Sequence, residues 1–298
     1  MSRVEPAGRL AGVELGGTKC LVTLGSGPDR IDEQLMVSTT TPDATLSAIA
    51  DILSRWTYDA LGIAAFGPIG VDPARGDYGV VLATNKPGWP GAPVLEQLSA
   101  VRLVPVAVDT DVNGAALAEM RWGCAKGLDD FAYVTVGTGV GVGLVVRGRT
   151  TGGIGHSEIG HLRIPRPAGD NFESVCRYHP DCVEGLASGT ALRGRLNGRA
   201  VEDVGPDDPL WTPIVEALAA MCHAIVVTTG PRRIAIGGGV AVRQPHLLPR
   251  IDTALRASLA GYMPLPPVPY IVAPALGAMA GPLGSIAVAA TALSRVPA

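Results

Sequence analysis

Short apolar runs broken by glycine-rich punctuation set the rhythm of this chain. Residues 10–15 form one run, Gly16-Gly17-Thr18-Lys19 interrupts it and residues 20–24 resume it, which predicts strand, glycine turn, strand. Residues 131–136, then Gly137-Thr138-Gly139-Val140-Gly141, then residues 142–146 repeat the layout. Taken alone, one such unit is an ordinary hairpin. A unit of this kind opening each half, with a similar order of elements after it, predicts two related α/β lobes whose glycine turns face each other. Leu46, Ile49, Ala50 and Leu53 recur at helical spacing, so residues 44–55 should be an amphipathic helix. Residues 61–66 read as a buried strand, residues 84–89 as a loop on turn chemistry, 104–108 as a strand and 114–122 as a helix. Further on, Ser188 should cap a helix over 186–192, a polar loop covers 203–213, and 214–228 is a long apolar helix with Cys222 and His223 as packing residues. Residues 234–236 form a strand running into a Gly237-Gly238-Gly239 turn, and 277–293 should be a helix packing on the first lobe's sheet.

Composition narrows the class. A chain of 298 residues fits about two domains, and 47% hydrophobic residues suffice for a large core. Charged residues are 17% of the chain, the net charge is −3 and basic runs are missing, which speaks against a nucleic-acid binder. Five cysteines is an odd count, and residues 1–6 lead into no apolar signal segment. A reducing cytoplasm is expected, where Cys beside His points to metal more than to disulfides. The apolar run 131–146 is broken by glycines and too short to cross a bilayer, so no membrane partner is expected.

The densest chemistry lies between Glu158 and Glu184. Cys176, His179 and Cys182 stand in Cys-x2-His-x2-Cys spacing and His161 lies upstream, a set suited to tetrahedral zinc. Core cysteines that happen to lie near histidines are the plain alternative; the compact spacing favours the metal. Glu158 and Glu184 flank the set without being needed as ligands, and are placed to meet a small polar substrate. Gly16, Gly17, Thr18 and Lys19 offer backbone and side-chain donors to a phosphate, but without Walker spacing and with a strand following. Asn85 sits in a Pro-Gly turn, where it is either a turn former or a grip for adjacent sugar hydroxyls, with Trp89 as a possible pocket wall. Asp109 suits a helix N-cap, whereas Asp111, one step further, would stay ionised in the helix's first turn and orient an attacking hydroxyl. The glycine turn at 237–239 would let an adenine lie on bare backbone.

These motifs together resemble a ROK-family sugar kinase of the fructokinase-like branch. The residues carrying the likeness are Glu14-x-Gly16-Gly17-Thr18-Lys19, Phe66-Gly67-Pro68, Lys86-Pro87-Gly88-Trp89, Asp109-Thr110-Asp111-Val112-Asn113-Gly114, Gly137-Thr138-Gly139-Val140-Gly141, Glu158-Ile159-Gly160-His161, the cysteine cluster through Glu184 to Gly189, and Gly237-Gly238-Gly239. The resemblance implies a two-lobed, actin-like (ribonuclease H-like) hexokinase-type α/β fold with a small zinc-binding loop. Its lobes would be residues 1–112, joined by the terminal helix at about 280–298, and residues 113–279, carrying the zinc loop at 156–184. It further implies Asp111 as catalytic base; Asn85, Asp111, Glu158, His161 and Glu184 at the sugar; and Gly16, Gly17, Thr18, Lys19, Thr138, Gly139, Thr190, Gly237, Gly238 and Gly239 at the nucleotide. His161, Cys176, His179 and Cys182 match structural zinc ligands, and ATP with Mg²⁺ would be the phosphoryl donor. Fructose, converted to fructose 6-phosphate, is the expected substrate of a cytoplasmic homodimer. The rivals are a glucokinase, mannokinase or N-acetylhexosamine kinase with the same residues, and a sugar sensor without turnover. About a dozen residues precede the first glycine motif, where ROK repressors carry a DNA-binding segment. Glu14 departs from the Asp usual in the wider superfamily.

Overall fold

A computed structural model describes residues 8–152, 154–166 and 169–294. The start of the chain at 1–6 and the last four residues of the expected terminal helix lie outside the described residues. The chain forms two compact units, the first from residues up to Gly127, Thr150–His156 and from Leu276 onward, the second from Leu128–Arg149 and Ser157–Ala275.

In the first unit, β1 (Leu10–Leu15), β2 (Lys19–Gly27) and β3 (Arg30–Ser38) form an antiparallel meander. The chain then runs through α1 (Pro42–Ser54) into β4 (Ala60–Ala65), which lies parallel to β1. α2 (Val94–Ser99) leads to β5 (Val106–Thr110), parallel to β4, and α3 (Asp111–Trp122) follows directly. The sheet order is β3-β2-β1-β4-β5. Every residue of β4 is buried, as a parallel strand covered on both faces must be, while β3, at the edge and rich in charge, has no buried position. α1 starts with Pro42 behind the Thr41 cap and buries Leu46, Ile49 and Leu53, the spacing read from the sequence.

The second unit repeats the plan. β6 (Phe131–Val136) and β7 (Val140–Val146) make an antiparallel hairpin, and β8 (Arg149–Thr150) extends the sheet edge. The chain continues through α4 (Val183–Ala187), α5 (Gly189–Leu196) and the long α6 (Trp211–Thr229). β9 (Ile234–Gly237) then pairs parallel with β6, as β4 does with β1. α7 (Gly238–Arg243), α8 (Leu247–Leu259) and β10 (Ile271–Val272) complete the unit, in sheet order β10-β9-β6-β7-β8.

The chain returns to the first unit as α9 (Ala280–Ser294), packed on β1, β4, β5 and α3. Its backbone lies so close that a Cβ on Gly62 would stand 2.1 Å from the Ser285 carbonyl oxygen, and one on Gly284 would stand 2.7 Å from the Gly114 carbonyl carbon. This packing corrects the expected boundary at 112/113: α3 is clamped against α9, so the first unit continues to Gly127. Trp211–Thr229 and Gly277–Ser294 are long and apolar enough to cross a membrane, and half or more of each is buried within its unit.

Candidate active site and metal centre

In the first unit the β1–β2 turn carries Gly16, Gly17 and Thr18, with Lys19 exposed at the start of β2. Its carbonyls are tied back by donors: the Thr39 hydroxyl to Gly16 O at 2.7 Å, the Thr39 amide to Thr18 O at 3.0 Å, and the Lys86 ammonium to Gly17 O. Asp111 is the first residue of α3, as the sequence implied, and its Oδ1 accepts the Val112 amide at 2.8 Å. That position lies in the positive end of the helix dipole. Beside it, burial first and the Asp111 charge second push Glu14 up to about 7, with Lys19 pulling the other way. Gly281, in the first turn of α9, makes room for this carboxyl: a Cβ there would be 2.1 Å from Glu14 Oε1.

The helix cap is Thr110, whose hydroxyl accepts the Asn113 amide at 3.2 Å; the capping expected of Asp109 is corrected. β5 runs two residues further than its apolar pattern indicated, because its pairing with β4 continues to Ala65–Thr110. Asp109 is instead a half-buried brace, accepting from Asn113 Nδ2 at 2.6 Å, the Thr110 amide at 2.8 Å and the Thr150 hydroxyl at 2.9 Å. Burial raises its pKa, and these hydrogen bonds work against that rise. His156 Nε2 accepts the Ile69 amide at 3.3 Å. Asn85 is exposed on its loop. Trp89 is not a pocket wall: it is 1% exposed, donates to Thr40 O at 2.9 Å and meets the Phe66 ring edge-on, so it anchors the loop in the core.

In the second unit the β6–β7 turn and the start of α5 come together. The Gly189 amide donates to Gly137 O at 2.7 Å, the Thr190 hydroxyl to Thr138 O at 2.8 Å, and Arg193 to the Thr190 hydroxyl at 3.0 Å. Ser188 caps α5, as expected. The expected glycine turn at 237–239 is corrected: Gly237 ends β9, and Gly238 and Gly239 open α7. The side-chain side of Gly238 is filled by Val136, whose amide a Cβ would meet at 2.5 Å, and that of Gly237 by Pro274 at 2.7 Å. Those two glycines therefore serve close packing, and their bare faces are not open to a base. At Gly139 a Cβ would lie 2.5 Å from Glu184 Oε2, which also accepts the Val140 amide at 3.0 Å.

Glu184 leads to the cysteine cluster, since its Oε1 lies 3.8 Å from His161 Nε2. One ligand atom each of His161, Cys176, His179 and Cys182 falls within 4.8 Å of the others. Cys176 Sγ is 3.7 Å from both His161 Nδ1 and His179 Nδ1, and Cys182 Sγ is 3.8 Å from His161 Nδ1. Tetrahedral zinc, with bonds of about 2.3 Å to sulfur and 2.0 Å to nitrogen, spaces such pairs at about 3.6 Å, so the four fit the ion. Protein contacts preform the loop. Ser174 donates to His179 O at 2.8 Å, Arg166 to Pro180 O at 2.6 Å, and Arg163 pairs with Asp181 at 2.7 Å. Burial pushes the Cys182 thiol up to about 11, a state that a bound dication would reverse by taking the thiolate. Glu158 is exposed at the entry to the short turn Ile159–His161, its carbonyl accepting the His161 amide at 2.9 Å.

The ROK family model matches residues 10–292. A fructokinase of Pediococcus pentosaceus is 39% identical over 287 residues, covering 96% of this chain and 99% of that protein. The ROK hexokinase of Thermus thermophilus superposes with a TM-score of 0.79 at 28% identity, covering 97% of this chain and all of that one. A ROK glucokinase of Streptomyces griseus, solved with glucose and AMPPNP, superposes with a TM-score of 0.74 at 25% identity over 96% of this chain and 99% of its own.

Proposed function

Because the chain belongs to the ROK family, we infer that it is an ATP-dependent sugar kinase that converts fructose to fructose 6-phosphate. The full-length likeness to the Pediococcus fructokinase is the observation that carries the choice of fructose. Asp111, on the dipole end of α3, orients the sugar's primary hydroxyl and takes its proton as the oxygen meets the terminal phosphoryl group. A carboxylate of ordinary pKa about 3.9 is a weak base, so alignment is most of its work. Asn85, Glu158, Glu184 and His161 hold the remaining hydroxyls. The nucleotide is met by Gly16, Gly17, Thr18 and Lys19, and by Thr138, Gly139 and Thr190.

Mg²⁺ would supply charge neutralisation at the phosphates. The neighbouring carboxylates Glu14 and Asp111 fit a role in holding its water shell, Glu14 being driven toward neutrality without a cation beside it. Zinc, with four protein ligands and no open position, is structural in this reading. It fixes His161, which presents its other nitrogen toward Glu184.

A panel of fructose, mannose, glucose and N-acetylated hexoses read by ADP release tests the reading. Fructose should give the highest kcat/KM. A clear preference for another hexose would move the assignment within the family, and sugar binding without ADP release would replace the kinase by a sensor. The reading also includes a cytoplasmic setting, which suits free thiols and ATP, and a homodimer, which sedimentation equilibrium would check.

A further inference from the structure

Lys86 has no part in the mechanism so far, yet it joins the loop of Asn85 to the glycine turn. Its ammonium donates to Gly17 O and stands 5.5 Å from the centroid of the Phe66 ring. Its Cε lies 3.4 Å from the point a Gly17 Cβ would occupy. Among the described residues it forms no ion pair. An ammonium has three donors, and a carbonyl with a ring face is a poor substitute for an anion.

The three turn carbonyls are not held alike. Those of Gly16 and Thr18 are bonded by Thr39, through its hydroxyl and its backbone amide, whereas that of Gly17 is held by a flexible side chain on a partly exposed loop. Only the Lys86 contact can be given up without dismantling the turn. A phosphate oxygen would replace this ion–dipole bond, in which only the donor is charged, with one between opposite charges.

We propose that Lys86 is a catalytic residue, its ammonium leaving Gly17 O to bond the terminal phosphoryl oxygens of ATP. There it offsets charge while the bond from phosphorus to the ADP oxygen breaks and the bond to the sugar oxygen forms. The sugar proton goes to Asp111, and Lys86 transfers nothing. This rests on the kinase reading above.

The test compares Lys86→Met and Lys86→Arg with the unaltered protein. Turnover is read with fructose, and binding of ADP and of AMPPNP by calorimetry. Lys86→Met should lower kcat by about 100-fold, in the range for losing one preorganised donor. It should weaken AMPPNP by about tenfold while leaving ADP affinity and melting temperature near their original values; Lys86→Arg should recover most of both losses. Equal weakening of ADP and AMPPNP, or a lowered melting temperature with the AMPPNP-to-ADP ratio intact, would make Lys86 a strap on the turn and overturn the proposal. If the unaltered protein turns over, Asp111→Asn does not, and Lys86→Met retains full kcat, Lys86 alone is wrong. Absence of turnover with every hexose in the unaltered protein would sink both readings.

Discussion

The two glycine hairpins share strand order and pairing but are braced by opposite means. In the first, turn carbonyls accept from Thr39 and Lys86, and the nearby acids are the Glu14 and Asp111 pair. In the second, the start of α5 holds the turn through Gly189 and Thr190, and a single acid, Glu184, reaches in from the metal loop. One plan thus serves two tasks, set by what is placed against it. The first hairpin is built around paired negative charge beside a phosphate-suited turn, the second around a helix start coupled to a metal cluster. The largest test of this contrast is Asp111→Asn. It should reduce kcat by about 1,000-fold, within the span for losing a positioned base. Circular dichroism and melting should stay near those of the unaltered protein, because the amide can still accept from Val112.

Breaking the second hairpin's brace should do something different. Cys176→Ala, or treatment with a strong chelator, removes one ligand or the ion and should destabilise the second unit by about 3 kcal/mol or more, given the large folding energy such ions supply. Hydrogen exchange should rise around 137–141 and 183–189 while the amides of β1 and β2 stay protected. Metal analysis should find one zinc per unaltered chain. Equal loss of protection in both hairpins would erase the distinction between them. Gly139→Ala is milder: its methyl meets the Glu184 carboxylate, which must move away from Val140 and His161. KM for fructose should rise by about tenfold, the scale of one displaced polar contact, with KM for ATP changed less.

Much of this was legible in the sequence wherever a pattern is local. Both hairpins, α1, α6 and the terminal helix follow from apolar spacing, and Cys-x2-His-x2-Cys with His161 marks residues whose ligand atoms do converge. What was missed depends on residues far apart in the chain. Nothing near Gly238 shows that Val136 will press on it, so three glycines looked like an open turn while the fold uses two of them for packing and starts a helix. The choice between Asp109 and Thr110 as cap rests on how far β5 pairs with β4, and Trp89 is buried by Phe66 from another segment. Glu14 stands out in the sequence only as a departure from Asp. Its altered acidity was not visible, since it needs α9 to close over β1 and Asp111 to arrive from α3.

That acidity gives the smallest and most discriminating test. With the folded protein's Glu14 at about 7 and the unfolded chain near the ordinary 4.5, a proton is held more tightly when folded. Both states keep it below about pH 4.5, so Glu14 costs nothing there. As pH rises from about 4.5 to 7 the unfolded chain releases it first, stability falls, and above about 7 the full cost is present. Glu14→Gln lacks this term. Its melting temperature should match the unaltered protein's at the acid end and exceed it at pH 8, by an amount worth about 1–3 kcal/mol. Adding Asp111→Asn to both proteins should shrink the gap without closing it, because burial is the larger cause and the Asp111 charge the smaller. A gap that stays constant across this range would mean that Glu14 titrates alike in the folded and unfolded chain, and the crowded carboxylate pair that sets the first hairpin apart from the second would not exist.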